Sequence, residues 1–299
     1  MANPSPILSA EDRDRVAKLQ WFAKGVVEGL SVGMHRSPNK GSSIEFKEHR
    51  AYVRGDEIRL IDWKLFGKTD RLYVKQFEVE TNLRATLVLD QSRSMSYQGE
   101  KSAVSKHDFA VRLAACLAYL FVGQHDAVGV ATFDARVRQY VPPKSVPSHV
   151  HSLLEMMAGS HCAGETSIAE VIRQLSTKIR RRGVLVLISD CFDDVPSLLS
   201  ALSILRQMGN EVVIFQIWDP DELSFPFRKR TQFQSLENPS GRKMLDPRLV
   251  RKAYLKNLEK FQSDLTKGCL KQRIPLIVCN TSQSHSQILS QFIVQQGQR

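Results

Sequence analysis

The chain has 299 residues, enough at ~150 per domain for about two domains or one large one with additions, and 42% apolar with 24% charged residues excludes wholesale disorder. The unusual number is the net charge of +11, which is unevenly spread: residues 1–85 carry +3, residues 86–225 carry −2 and residues 226–299 carry +10. Five widely spaced cysteines with no CxxC pair exclude a disulfide framework or a zinc ribbon and fit a reducing cytoplasm. The N-terminus lacks the basic-then-apolar layout of a signal peptide, and no apolar run approaches the ~20 residues of a membrane span, so a cytoplasmic protein is expected.

In chain order, Val16, Leu19, Phe22, Ala23, Val26, Val27 and Leu30 recur at helical spacing and predict a docking helix over about Ser9–Leu30. The stretch 31–82 is irregular, rich in mixed charge and punctuated by turn signals, yet its apolar residues, Trp63 among them, need burial. Residues 1–82 are therefore expected to form an ordered N-terminal extension packing on a core domain of residues 83–299.

From residue 83, apolar runs of strand length alternate with helical segments. Leu83–Asp90, Ala127–Phe133, Val184–Ser189, Glu211–Trp218 and Ile274–Asn280 read as strands, several too uniformly apolar for a sheet with one wet face. Residues 106–122, 146–157, 168–179, 195–208, 247–270 and 286–296 read as helices, and Val137–Val141 as an antiparallel edge. The expected class is α/β: a Rossmann-like, mostly parallel central sheet with helices on both faces.

Open α/β sheets bind ligands beyond the carboxyl ends of their strands. Three such places carry oxygen donors: Asp90-x-Ser92-x-Ser94 after the first core strand, Thr166 before the helix near Ile168, and Asp190 after Val184–Ser189. Two carboxylates and three hydroxyls suit a hard cation, Mg2+ first with Mn2+ or Ca2+ as substitutes, and suit zinc poorly. Three of the five donors are neutral hydroxyls, which leaves the ion electrophilic and with room for a partner's carboxylate. No residue in the pattern nominates a nucleophile or a positioned base, so no catalytic residue is assigned and a metal-dependent hydrolase is not favoured.

Asp90, Ser92, Ser94, Thr166 and Asp190 resemble, in order and approximate spacing, the metal-ion-dependent adhesion site of von Willebrand factor A domains. Upstream, Glu45-Phe46-x-x-x-Arg50-x-Tyr52-x-x-Gly55-Asp56-x-x-Arg59-x-Ile61-Asp62-Trp63 resembles the signature of the bacterial domain of unknown function family 58. The first resemblance implies that the hydroxyls coordinate the metal, that the aspartates act directly or through water, and that an acidic residue of a bound protein completes the shell. The second implies a von Willebrand A-like core and a MoxR-type AAA+ ATPase, or its client, as partner. The alternating acids and bases of the signature are expected to pair and lock the extension against the sheet.

Other signals carry less. Gly67-Lys68-Thr69 lacks the upstream glycine and the strand-to-helix context of a nucleotide loop. Asp193-Asp194 is placed to cap a helix, and His149 and His151 are expected at the surface. Lys252, Lys256, Lys260, Lys267 and Lys271 fall near a four-residue spacing, with Val250, Tyr254, Leu258, Phe261 and Leu265 as the buried stripe, giving a basic helix face that could serve as a docking surface. The sequence thus points to a non-enzymatic protein-binding module. The alternative, nucleic-acid binding through the basic C-terminal region, rests on charge alone.

Overall fold

A computed structural model describes residues 10–33, 44–53, 61–79, 83–179, 182–227, 231–234 and 242–297. These divide into two compact units: residues 1–35 with 83–299, and residues 36–82. The boundary differs from the expected one: the N-terminal helix belongs to the unit that holds residues 83–299, and residues 36–82 make up the other.

The first unit is built on a six-stranded sheet of β3 (Arg84–Asp90), β4 (Ala127–Phe133), β5 (Val137–Lys144), β6 (Val184–Ser189), β7 (Glu211–Trp218) and β10 (Leu276–Asn280). Its order is β10-β7-β6-β3-β4-β5, all neighbours parallel except the antiparallel edge β4–β5. The uniformly apolar runs are explained by burial on both faces. Leu87 and Leu89 of β3 face one cluster while Val88 between them faces the other, the period of two that a pleated strand imposes.

One face is covered by α3 (Lys106–Gly123), α4 (Pro147–Ala158) and α9 (His285–Gly297), the other by α5 (Ile168–Lys178), α6 (Val195–Gln207) and α8 (Pro247–Lys271). The helix α1 (Ala10–Gly33) packs on α3, α4 and α9, and inserts Val16, Leu19 and Ala23 into the first cluster. Its amphipathic spacing is thus used as expected.

The second unit contains an antiparallel pair, β1 (Ile44–Ala51) with β2 (Tyr73–Val79), and the short helix α2 (Trp63–Thr69) between them. The irregular reading of 31–82 missed these strands because charged residues interrupt the apolar alternation. Asp62 caps α2, its Oδ1 accepting from the backbone N–H of Lys64 and of Leu65, both at 3.0 Å, and its Oδ2 lies 2.9 Å from Nε2 of His49. The partner of Asp62 is thus His49, which the sequence reading did not include. Trp63 is 59% exposed and meets Phe66 edge to face, so the expectation that it needs burial is corrected. Arg50 and Tyr52 lie at the end of this ladder, where the Tyr52 N–H donates to the Leu72 carbonyl. Glu45 sits within β1, whereas Gly55, Asp56 and Arg59 fall outside the described residues.

Two further elements went unforeseen: the hairpin β8 (Thr231–Gln234) with β9 (Arg242–Leu245), and the five-residue helix α7 (Pro220–Ser224). Gly67–Thr69 close α2, consistent with no nucleotide loop.

Candidate functional site

The chain order reverses direction at β3: β4 follows on one side and β6 on the other, which makes the carboxyl end of β3 and β6 a topological switch point. Asp90 is the last residue of β3 and Asp190 follows the last residue of β6, and both are fully buried. The Asp90 carboxylate accepts from the Ser92 N–H at 2.8 Å on one oxygen and from the Ser189 hydroxyl at 2.5 Å on the other. Ser92 and Ser94 follow on a short 3-10 turn, Arg93–Ser96, with their hydroxyls 3.0 Å apart.

The loop carrying Thr166 is tied to this turn by two backbone bonds, Ala163 N–H to the Gln91 carbonyl at 2.8 Å and Arg93 N–H to the Gly164 carbonyl at 3.2 Å. Gly164 has φ +73°, and a Cβ there would lie 2.9 Å from the Asp134 carboxylate, so the turn admits glycine for both reasons. Asp193 completes the seam: its Oδ2 accepts from Ala169 N–H at 3.1 Å in the first turn of α5, whose own N-cap Ser167 makes no side-chain bond. Its neighbour Asp194 caps α6 by accepting from the Ser197 N–H, and hydrogen bonds from the Ser197 hydroxyl and N–H hold its carboxyl below the usual range. The capping expectation therefore extends to two helices.

All five predicted oxygen-bearing residues are gathered at one end of the sheet. Burial and the neighbouring charge of Asp190 push the Asp90 carboxyl up to about 7, against the hydrogen bonds from Ser189 and Ser92 that favour its ionised form. The Thr166 hydroxyl oxygen is buried and has no hydrogen-bond partner among the described residues. A buried polar atom left unpaired is costly and rare, and here it belongs to a residue the spacing nominated. A raised carboxyl and an orphaned hydroxyl are both relieved by a cation, so the donor set fits a hard divalent ion. Among the described residues no three His, Cys, Asp or Glu side chains are grouped as metal ligands, so cation binding here would depend on the hydroxyls.

Sequence reasoning missed the strongest charge at the site. Lys106, the first residue of α3, is fully buried, and its ammonium donates to Asp190 Oδ2 at 2.9 Å and to Glu222 Oε1 at 2.7 Å. Burial opposes its charge, but Asp190 and Glu222 more than offset this and hold it above the usual lysine range. A lysine in a first helical turn opposes the helix dipole, and that local conflict was the available signal. Glu222 in turn closes a capping box on α7, its Oε2 accepting from the Asp219 N–H at 2.9 Å. Asp219 and Asp221 also accept from the loop after β3: Gly99 N–H at 3.0 Å and the Ser102 hydroxyl at 2.6 Å to Asp219, and Glu100 N–H at 3.1 Å to Asp221.

On α8, Lys252, Lys256, Lys260, Lys267 and Lys271 are exposed, while Leu258, Leu265 and Cys269 are buried and Tyr254 and Phe261 half-buried. His151 is exposed beside Glu155, but His149 is buried, which corrects its expected surface position.

A six-stranded, mostly parallel sheet with helices on both faces and one antiparallel edge, its loops converging at the switch point, defines a von Willebrand factor A-like domain. The chain belongs to the family described as "Protein of unknown function DUF58", which matches residues 48–263. Uncharacterized protein Rv1480 of Mycobacterium tuberculosis and Mb1516 of Mycobacterium bovis are each 27% identical over 237 residues, spanning 77% of this chain and 73% of theirs. Similar solved structures include BatB from Bacteroides thetaiotaomicron, with 16% identity, TM-score 0.48, and coverage of 73% of this chain and 100% of that one. The VWA domain of SpRpn10 is also similar, with 15% identity, TM-score 0.42, and coverage of 70% of this chain and 95% of that one. No helix among the described residues is long and apolar enough to cross a membrane.

Proposed function

We propose that this protein is a non-enzymatic binding module whose Asp90, Ser92, Ser94, Thr166 and Asp190 hold a divalent cation, Mg2+ in the first instance, that captures an acidic residue of a protein partner. The observation that carries this reading is the buried Thr166 hydroxyl, unpartnered among the described residues, on the loop bonded to the Ser92–Ser94 turn, together with the raised Asp90 carboxyl. When bound, the cation supplies an electrophilic centre for a carboxylate oxygen. The chain's own residues orient the donors: Asp90, Ser92 and Asp190 are buried, and Ser94 and Thr166 are half-buried. Membership of its family supports an adaptor role with a MoxR-type AAA+ ATPase or that ATPase's client. Calorimetric titration of Mg2+ or Mn2+ into the wild type and Asp90→Ala tests the cation: binding heat in the first and none in the second is expected, and equal heats from both refute it. Mg2+-dependent recovery of the ATPase in a pull-down tests the partner, and recovery that chelator does not reduce counts against it.

A second reading, nucleic-acid binding through residues 226–299, has the exposed lysines of α8 in its favour. Against it, the aromatic residues of that helix, Tyr254 and Phe261, are turned inward and half-buried, leaving no stacking platform among the lysines. Retention of DNA on a filter at low salt, lost steeply as salt rises, would favour it.

A further inference from the structure

We propose that Lys106 is a built-in counter-ion that competes with the divalent cation for Asp190 and so sets how tightly the site loads. This rests on the cation reading above and concerns the regulation of that same site. Both carboxylate oxygens of Asp190 are engaged by the chain itself: Oδ1 accepts from the Phe192 N–H at 3.1 Å and Oδ2 from the Lys106 ammonium at 2.9 Å. Asp90 is engaged differently: it accepts from the Ser92 N–H and the Ser189 hydroxyl, and among the described residues no Lys or Arg is paired with it. Of the two acids at the site, Asp190 is therefore the one whose charge is already spoken for.

The ammonium has little freedom to leave. It is fully buried, faces the Phe192 ring at 5.4 Å, and stands at the start of α3, where the helix dipole disfavours a cation and the two acids must hold it. It is shared, however. Glu222 takes the same ammonium at 2.7 Å, so Glu222 draws positive charge away from Asp190. Two consequences of opposite sign follow. Removing the ammonium frees Asp190 for the metal, and neutralising Glu222 leaves the ammonium wholly to Asp190.

The test is calorimetric titration of Mg2+ into chelator-stripped full-length wild type, Lys106→Met and Glu222→Gln. Folding of each is checked by circular dichroism. Lys106→Met is expected to bind Mg2+ tighter by about tenfold or more, and Glu222→Gln weaker by roughly threefold, as expected when a neighbouring charge is removed from an ion site. Folded Lys106→Met with wild-type or weaker affinity overturns the proposal. If Lys106→Met does not fold, Glu222→Gln decides alone, since it keeps the size of the side chain and removes only its charge, and unchanged affinity there overturns the proposal. Equal affinity in all three removes Lys106 from the site's regulation and leaves the cation reading standing. Absence of binding heat in all three, with Mn2+ as well as Mg2+, overturns the cation reading itself.

Discussion

Thr166→Val separates the cost of the site from its use. Valine matches threonine in shape and removes only the hydroxyl, which is buried without a hydrogen-bond partner among the described residues. Mutational series put the cost of such an unpaired buried group at ~1–3 kcal/mol, and the Thr166 residue as a whole is only half-buried. The low end therefore applies: in chelator, the valine variant is expected to be more stable than wild type by about 1 kcal/mol, which for a chain of this size raises Tm by about 2 °C. Mg2+ affinity is expected to fall by roughly tenfold, because one of three neutral ligands is lost. Equilibrium urea unfolding followed by circular dichroism in chelator gives the first quantity, and calorimetry gives the second. A chelated variant less stable than wild type by 1 kcal/mol would mean that the hydroxyl has a partner in the folded chain, and unchanged Mg2+ affinity would remove Thr166 from the ligand set.

Further outcomes follow from neighbouring geometry. A Cβ on Gly99 would lie 2.3 Å from Asp219 Oδ1 and 2.5 Å from Asp221 Oδ2, so Gly99→Ala is expected to destabilise by about 2 kcal/mol in urea unfolding; a loss under 0.5 kcal/mol would show that this loop yields freely. His285 lies against Phe109 and Phe22 and bonds the Phe109 carbonyl, and burial lowers its pKa to about 4. The unfolded chain takes up this proton near pH 6.5 and the folded chain only near 4, so stability is lost as pH falls through that window, by about 3 kcal/mol at most. His285→Gln is expected to flatten the Tm-against-pH curve between those values, and an unchanged slope would assign the acid loss elsewhere. Replacing Lys252, Lys256 and Lys260 together with glutamine is expected to leave Mg2+ affinity within about twofold of wild type, since exposed charges outside the site are screened; a larger change would couple α8 to the cation site.

The central strands were legible because β3, β4, β6 and β7 are buried on both faces and so read as unbroken apolar runs. The oxygen donors were legible for a related reason, since they stand immediately after those strands or before a helix that follows. Lys106 was not, because its partners Asp190 and Glu222 lie 84 and 116 residues away and no local pattern joins them. The strands of the 36–82 unit were hidden by charge, as in Ile44-Glu45-Phe46-Lys47-Glu48-His49-Arg50, where composition suggests a solvated loop while the ladder with β2 forms regardless. Trp63 misled because a large aromatic is a poor witness to burial when the element carrying it is one short helix.

The way the polypeptide is parcelled also dictates how it can be cut. Residues 36–82 leave and rejoin a body whose first segment is α1 and whose second begins at β3. An expression fragment begun at Leu83, the natural choice for an isolated A domain, would discard the helix that places Val16, Leu19 and Ala23 over the layer beneath and would leave that layer greasy and uncovered. A fragment that retains α1 together with residues 83–299 should stay in solution where the simpler truncation precipitates.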